Sequence, residues 1–270
     1  MNVTAVIPVR LDSKRFPGKA LADVGGKPLI RLVFDRVRQA GCLDRTLIAT
    51  DSPEVEAACR EFTDDIFFST TRHLCGTDRV AEACGAIDTD VIVNVQTDEP
   101  MMEPALIDTL AGLFDAPALD FATAAAPIRT FEEFLDPNVV KVVCDAAGDA
   151  LYFSRAPIPW DRDAPPSGAG PLPDGFRAWK HIGIYLYRKA ALTTLAGPGG
   201  TPSCAATSVP SCRIAFVGVA RSRVSNLISP VAGSSTCTAP VKPLERIRSS
   251  PSVATVDAPA NPTPGGSKRS

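Results

Sequence analysis

Histidine is nearly absent from this chain, with two in 270 residues, and no cysteines are spaced as Cys-x-x-Cys. A zinc site would therefore lack ligands. Cysteine itself is not scarce, but Cys42, Cys59, Cys75, Cys84 and Cys144 are too widely scattered to suggest a disulfide framework. They are expected to be reduced and mostly in the core. No apolar run approaches the ~20 residues needed to cross a bilayer. The opening Met1-Asn-Val-Thr-Ala-Val-Ile-Pro8 has no basic leader followed by an apolar block and a cleavage site. A cytoplasmic protein without membrane insertion is expected. The net charge of −2 offers no basic excess to attract nucleic acid.

The chain changes texture near residue 196. Up to Leu195, apolar strands alternate with helix-period segments. Strands are predicted at Val3 to Val9, Leu47 to Thr50, Ile66 to Ser69, Val91 to Val95 and Phe121 to Ile128. Helices are predicted at Pro28 to Ala40, Pro53 to Phe62, Thr77 to Ala86 and Pro104 to Phe114, several opened by proline in the first turn. This order predicts an α/β domain with a doubly wound, mostly parallel sheet, whose ligands bind beyond the carboxyl ends of the strands. From Ala196 to Ser270 there are eight Lys or Arg against two acids, with ten prolines, thirteen serines and seven glycines. That tail reads as largely disordered, and Arg213 to Ala220 alone looks capable of a strand.

Three runs carry the chemistry. Pro8-Val-Arg-Leu-Asp-Ser-Lys-Arg-Phe-Pro-Gly-Lys19 follows the first strand and holds four cations, Arg10, Lys14, Arg15 and Lys19, with the Ser13 hydroxyl. Guanidinium and ammonium groups on a loop that Gly18 lets approach a ligand suit a triphosphate. A solvated basic turn is the plain alternative. Asn94-Val-Gln-Thr-Asp-Glu-Pro100 ends a strand with two carboxylates, delivering Asp98 to the ligand edge, where Mg²⁺ is held by one or two carboxylates plus phosphate oxygens. Capping of a neighbouring turn or of the next helix is the alternative for Asp98 and Glu99. In His73-Leu-Cys-Gly-Thr-Asp-Arg79, Thr77 and Asp78 suit a helix N-cap, or a helix start whose free N–H groups meet a ligand. Together the runs point to a nucleotidyltransferase.

These runs, with Phe134-Leu-Asp-Pro-Asn-Val-Val-Lys-Val-Val143, Ala150-Leu-Tyr-Phe-Ser-Arg-Ala-Pro-Ile-Pro159, Arg162 and His181-Ile-Gly-Ile-Tyr-Leu-Tyr187, resemble the 3-deoxy-manno-octulosonate (Kdo) cytidylyltransferases, or CMP-Kdo synthetases, of bacterial lipopolysaccharide synthesis. The resemblance covers about residues 1–195. It implies a Rossmann-like fold of the nucleotide-diphospho-sugar transferase kind, with a small β-rich lobe within about 130–187 through which two subunits associate as a homodimer. The implied reaction is CTP plus Kdo giving CMP-Kdo and pyrophosphate, with Mg²⁺ as cofactor. By motif, Arg10, Ser13, Arg15 and Lys19 would bind the triphosphate, and Gly76, Thr77 and Asp78 would lie near the cytidine. Asp98 would ligate Mg²⁺, with Arg10, Lys19 and Asp98 as the catalytic set. Gln96, Arg155, His181 and Tyr185 would receive the sugar acid, Arg155 facing its carboxylate.

The chain departs from the family at two places. Thr97 stands where the family usually has glycine, which raises the expectation that Asp98 is shifted or the sugar crowded. The family also continues with a Pro-Leu-Glu helix and a Val-Asp-Thr-Pro-Glu-Asp motif supplying a second metal ligand. Here Ser234-Ser235 fall near that position, and Pro243-Leu-Glu245 and Val256-Asp-Ala-Pro259 echo the two motifs only a dozen residues apart. Asp257 is the candidate second ligand. A reading-frame change near residues 197–203 would account for the abrupt loss of helical periodicity. Two alternatives to the CMP-Kdo reaction follow: a catalytically impaired relative that only binds nucleotide, and a cytidylyltransferase for a related sugar acid.

Overall fold

The structure, a computed structural model, describes residues 1–11, 18–71, 73, 75–162, 169–195 and 212–216. Most of the tail from 196, and with it Asp257, lies outside the described residues, as do Ser13 and Arg15.

The organising feature is a strand with no exposed residue. β1 (Val3–Val9) is buried along its whole length, as is β4 (Val91–Val95). Continuous apolar runs of this kind belong in a parallel sheet covered on both faces. β1 lies between β4 and β2 (Arg45–Thr50), parallel to both, and β2 pairs in parallel with β3 (Ile66–Phe68). With β5 (Phe121–Pro127), β8 (Trp179–Arg188) and β9 (Cys212–Phe216), the linear order of the sheet is β3-β2-β1-β4-β8-β5-β9. One face packs against α1 (Leu29–Val37), α2 (Pro53–Arg60) and α4 (Pro104–Ala111), through Ile30, Val33, Phe34, Val55, Ile107 and Leu110. The other packs against α3 (Gly76–Gly85) and α6 (Lys189–Leu195), through Val80, Ala83, Cys84 and Leu192. Burial of apolar side chains on both faces is the main stabilising contribution, about 25 cal/mol per Å² removed from water.

The expected doubly wound sheet is present, with one difference in its middle. β5 (Phe121–Pro127) does not adjoin β4, because β8 (Trp179–Arg188) enters between them and runs antiparallel to both. The last β4 pair is Val95 with Ile184, so residues Trp179–Gly183 overhang the end of β4. They continue along β5, and Lys180 and Trp179 also pair with β6 (Lys141–Cys144), which carries β7 (Ala150–Ser154) as a hairpin partner. A register shift between Thr123 and Ala124 marks where β8 bends away. β9 (Cys212–Phe216) runs parallel to β5 and overlaps the tail segment expected to form a strand, Arg213 to Ala220, of which residues 217–220 lie outside the described residues.

All four helices expected from periodicity end earlier than it suggests, α2 at Arg60 rather than Phe62 and α3 at Gly85 rather than Ala86. α1 stops at Val37 rather than Ala40, because Gln39 and Ala40 bond to Arg36 and Val37, three residues back. α4 stops at Ala111 and tightens into a 3-10 turn, Gly112–Asp115. α5 (Phe131–Leu135) is capped by Thr130, whose side chain accepts from Glu133 N–H. Cys59 and Cys84 are buried thiols of the two core faces, while Cys42 is half-buried. No helix among the described residues is long and apolar enough to cross a membrane.

Candidate active site

The three runs converge at the carboxyl ends of β1 and β4, on two consecutive carbonyls of β1. Thr97 Oγ1, from the third run, donates to Pro8 O at 2.8 Å. Arg79 Nη1, from the second, donates to Val9 O at 2.7 Å. Arg10 follows directly in the chain. The cationic loop therefore leaves the sheet at a point gripped by both of its neighbours.

Its return is also fixed. Gly18 N–H donates to Leu11 O at 3.0 Å, and Gly18 has φ +70°, a conformation that costs glycine little. Lys19 opens a 3-10 turn and reaches Asp98 Oδ2 at 3.2 Å. The two side chains are 40% and 52% exposed, so water screens the pair and it contributes at most about 1 kcal/mol. A polyphosphate can therefore take Lys19, and a metal can take Asp98, at small cost.

Arg79 is fully buried on the first turns of α3 and forms an ion pair with Asp51, at the end of β2. Burial is the main force pulling its pKa down, and Asp51 opposes it. The sequence motif included Arg79 without giving it a role; the structure makes it the bolt between α3, β1 and β2. Gly76 has a steric reason to be glycine, since a Cβ there would lie 3.3 Å from Pro8 Cγ. Cys75 is the N-cap of α3, so Thr77 and Asp78 occupy the first turn rather than the cap expected of them. The acidic Asp78 suits the positive end of the helix.

Asp98 and Glu99 do not cap the following helix, whose N-cap is Glu103. They lie in a turn closed by Glu99 N–H donating to Gln96 O at 3.2 Å. Glu99 Oε1 sits 3.6 Å from where a Cβ on Gly183 would lie, which brings the carboxylate pair to the overhanging part of β8. Burial, then the charge of Asp98, raises the Glu99 pKa. Two neighbouring carboxylates with oxygen donors, in a setting that disfavours their joint negative charge, fit a hard divalent cation such as Mg²⁺. Among the described residues no group of three or more His, Cys, Asp or Glu could hold a metal together.

A polar strip continues from Gln96 across the sheet. Gln96 Nε2 donates to Asn94 Oδ1 at 3.0 Å, and Asn94 pairs across the ladder with Tyr185. Tyr185 in turn packs against the His181 ring, centroids 5.1 Å apart, with Phe153 of β7 edge-on to the imidazole at 5.2 Å. Thr123 Oγ1 donates to Ile184 O at 2.6 Å and lies 2.8 Å from His181 Nε2, so Nε2 carries the proton and donates to the hydroxyl. Burial pushes the His181 pKa down to about 4, and the ring is neutral.

Gln96, Tyr185 and His181 thus share one face, while Arg155 follows Phe153 at the end of β7. Its Nη1 donates to Pro137 O at 2.8 Å, so loop 136–139 fixes its direction. The same loop is held by fully buried Lys141, whose ammonium donates to Asp136 O, Val139 O and Arg155 O at 2.8–2.9 Å. Sequence reasoning missed Asn94, Thr123 and Lys141. The only available signal was a polar residue inside an otherwise apolar strand.

A parallel-sheet edge that sets cations opposite paired carboxylates, beside a helix N-terminus, is the apparatus of a nucleotidyltransferase. Residues 4–196 match the cytidylyltransferase family. The 3-deoxy-manno-octulosonate cytidylyltransferase of Syntrophotalea carbinolica is 44% identical over 203 residues, 75% of this chain and 81% of that protein. That of Geobacter metallireducens is 42% identical over 217 residues, 79% of this chain and 85% of its own. The solved structure of a CMP:2-keto-3-deoxy-manno-octonic acid synthetase complexed with CTP aligns with a TM-score of 0.71 at 36% identity, covering 80% of this chain and 90% of that one. HddC from Yersinia pseudotuberculosis, at 12% identity and TM-score 0.54 over 80% of this chain and 90% of its own, shares the fold. This chain belongs to the cytidylyltransferase family, among the 3-deoxy-manno-octulosonate cytidylyltransferases.

Proposed function

We propose that this protein transfers the cytidylyl group of CTP to Kdo. The anomeric hydroxyl of the sugar attacks the α phosphorus, the bond to the β-phosphate oxygen breaks, and CMP-Kdo and pyrophosphate result. The observation that carries this reading is the convergence of the three runs on Pro8 and Val9 of β1, which sets Lys19 beside Asp98 at the head of the sheet. Such a reaction needs alignment and charge neutralisation more than covalent chemistry.

In this reading Arg10 and Lys19, with Ser13 and Arg15 from outside the described residues, neutralise the triphosphate. Gly76, Thr77 and Asp78 present the start of α3 to the cytidine. Asp98, with Glu99 beside it, would hold Mg²⁺, which when bound offsets charge on the phosphate oxygens. Asp257, outside the described residues, is the family-implied second ligand. Gln96, His181 and Tyr185 line the sugar side, His181 staying neutral and orienting through Thr123, and Arg155 meets the sugar carboxylate.

A homodimer is part of the same proposal. β7 pairs with β6 and exposes Leu151 at 66% and Tyr152 at 60%, with Trp160 at 59% nearby. Apolar side chains on a strand at a sheet edge suit burial against a second copy. Light scattering on Leu151→Asp protein should then show monomer where the wild type shows dimer.

Pyrophosphate release from CTP and Kdo, with and without Mg²⁺, tests the reaction. The expected result is metal-dependent turnover that Asp98→Ala lowers by about 10² to 10⁴. Folded protein that binds CTP but releases no pyrophosphate would overturn the reading in favour of a nucleotide-binding relative. Faster turnover with another sugar acid would move the substrate assignment.

A further inference from the structure

We infer that Thr97 is a positioning residue for Asp98, acting through its hydrogen bond to the main chain of β1. The inference rests on the nucleotidyl-transfer reading above. β1 and β4 pair only as far as Val6 with Asn94. Beyond that rung β4 leaves the ladder as the turn Gln96–Glu99, with Asp98 third in the turn. The side chain of Asp98 is half exposed, and its ion pair with Lys19 is too screened to fix it. Lys19 is moreover a group that the triphosphate would claim.

The 2.8 Å bond from Thr97 Oγ1 to Pro8 O supplies a rung where the backbone ladder has ended. Its acceptor residue also sets the height of α3, because Pro8 Cγ lies against Gly76. The next carbonyl, Val9 O, receives Arg79 from α3. One hydroxyl thus references the carboxylate to the same two residues that seat the nucleotide-facing helix start. The hydroxyl is turned inward onto Pro8, so it braces the turn; the expectation from sequence was that Thr97 shifts Asp98 or crowds the sugar.

The test compares Thr97→Val, which keeps the shape and removes the hydroxyl, with Thr97→Ser, which keeps the hydroxyl. Two readouts are needed on the full chain. Amide exchange at Glu99 in ligand-free protein reports the turn, and Mn²⁺ binding in the presence of CTP, followed by electron paramagnetic resonance, reports the placement of Asp98. Thr97→Val should speed Glu99 exchange about tenfold and weaken Mn²⁺ binding by a similar factor, the effect of one partly buried hydrogen bond. Thr97→Ser should stay within about twofold of wild type on both, since its hydroxyl can make the same bond.

Unchanged exchange in Thr97→Val, or a Thr97→Ser protein as impaired as Thr97→Val, overturns the inference. So does faster exchange with unchanged Mn²⁺ affinity, because the hydroxyl would then brace the turn without placing Asp98. Wild-type protein that binds Mn²⁺ with CTP but does not turn over overturns the enzymatic reading alone. Wild-type protein that does neither overturns both.

Discussion

Acidification from pH 7 to pH 5 should destabilise the fold by about 2 kcal/mol through a single imidazole, His181. In the folded protein its pKa is pushed down to about 4 by burial, against about 6.5 when the chain is unfolded. Between those values the unfolded chain binds a proton that the folded protein does not. The His181 contribution is therefore intact above about pH 6.5, is lost as pH falls toward 4, and is constant below that. Integrating the difference from pH 7 to 5 gives the figure of about 2 kcal/mol. The structural cause is specific: the ring is enclosed by Phe153 and Tyr185, and its Nε2 proton is taken by a hydroxyl already committed to Ile184 O. Urea unfolding of wild type and His181→Gln at both pH values isolates the effect, because other titrating groups cancel in the comparison. Glu99, whose raised pKa works in the opposite direction, is among them. The wild type should lose about 2 kcal/mol more than the variant across this window. Parallel pH dependences would refute the reasoning and mean that the imidazole is solvated.

Three further perturbations probe the supports of the site. Arg79→Met strands the Asp51 carboxylate and the Val9 carbonyl, and should cost about 3 kcal/mol in chemical unfolding. Lys141→Met removes the donor to three carbonyls, Asp136, Val139 and Arg155, and should cost a similar amount, about 3 kcal/mol. Because loop 136–139 also directs Arg155, the KM for the sugar should rise in that variant, which steady-state kinetics would show. Gly76→Ala places a Cβ 3.3 Å from Pro8 Cγ, so α3 or β1 must shift by a few tenths of an ångström. The KM for CTP should rise by about tenfold while the melting temperature changes little, since such displacements affect alignment more than burial.

What the sequence made legible, and what it concealed, follows from the range of the interactions involved. Val3–Val9 and Val91–Val95 match their expected limits because a strand covered on both faces must be apolar throughout, and that property is local. The seating of Asp98 beyond the end of β4 was legible for the same reason: an apolar strand that ends in carboxylates delivers them to the ligand edge. The insertion of β8 between β4 and β5 was not, since alternation marks a strand without naming its neighbours. That insertion pairs Tyr185 with Asn94, and brings the His181 ring packed on Tyr185 to the strand that leads into Gln96, 85 or more positions away along the chain. The bonds that hold the site together are likewise long-range. Thr97 to Pro8, Arg79 to Val9 and His181 to Thr123 each join residues that become neighbours only when the strand register is set. Motifs therefore disclosed the candidate groups for the chemistry, because those groups cluster in short runs. The residues that aim them, Arg79, Thr123, Asn94 and Lys141, are polar side chains buried by tertiary packing, marked locally by no more than a polar residue in an apolar strand or, for Arg79, a place at the end of a motif.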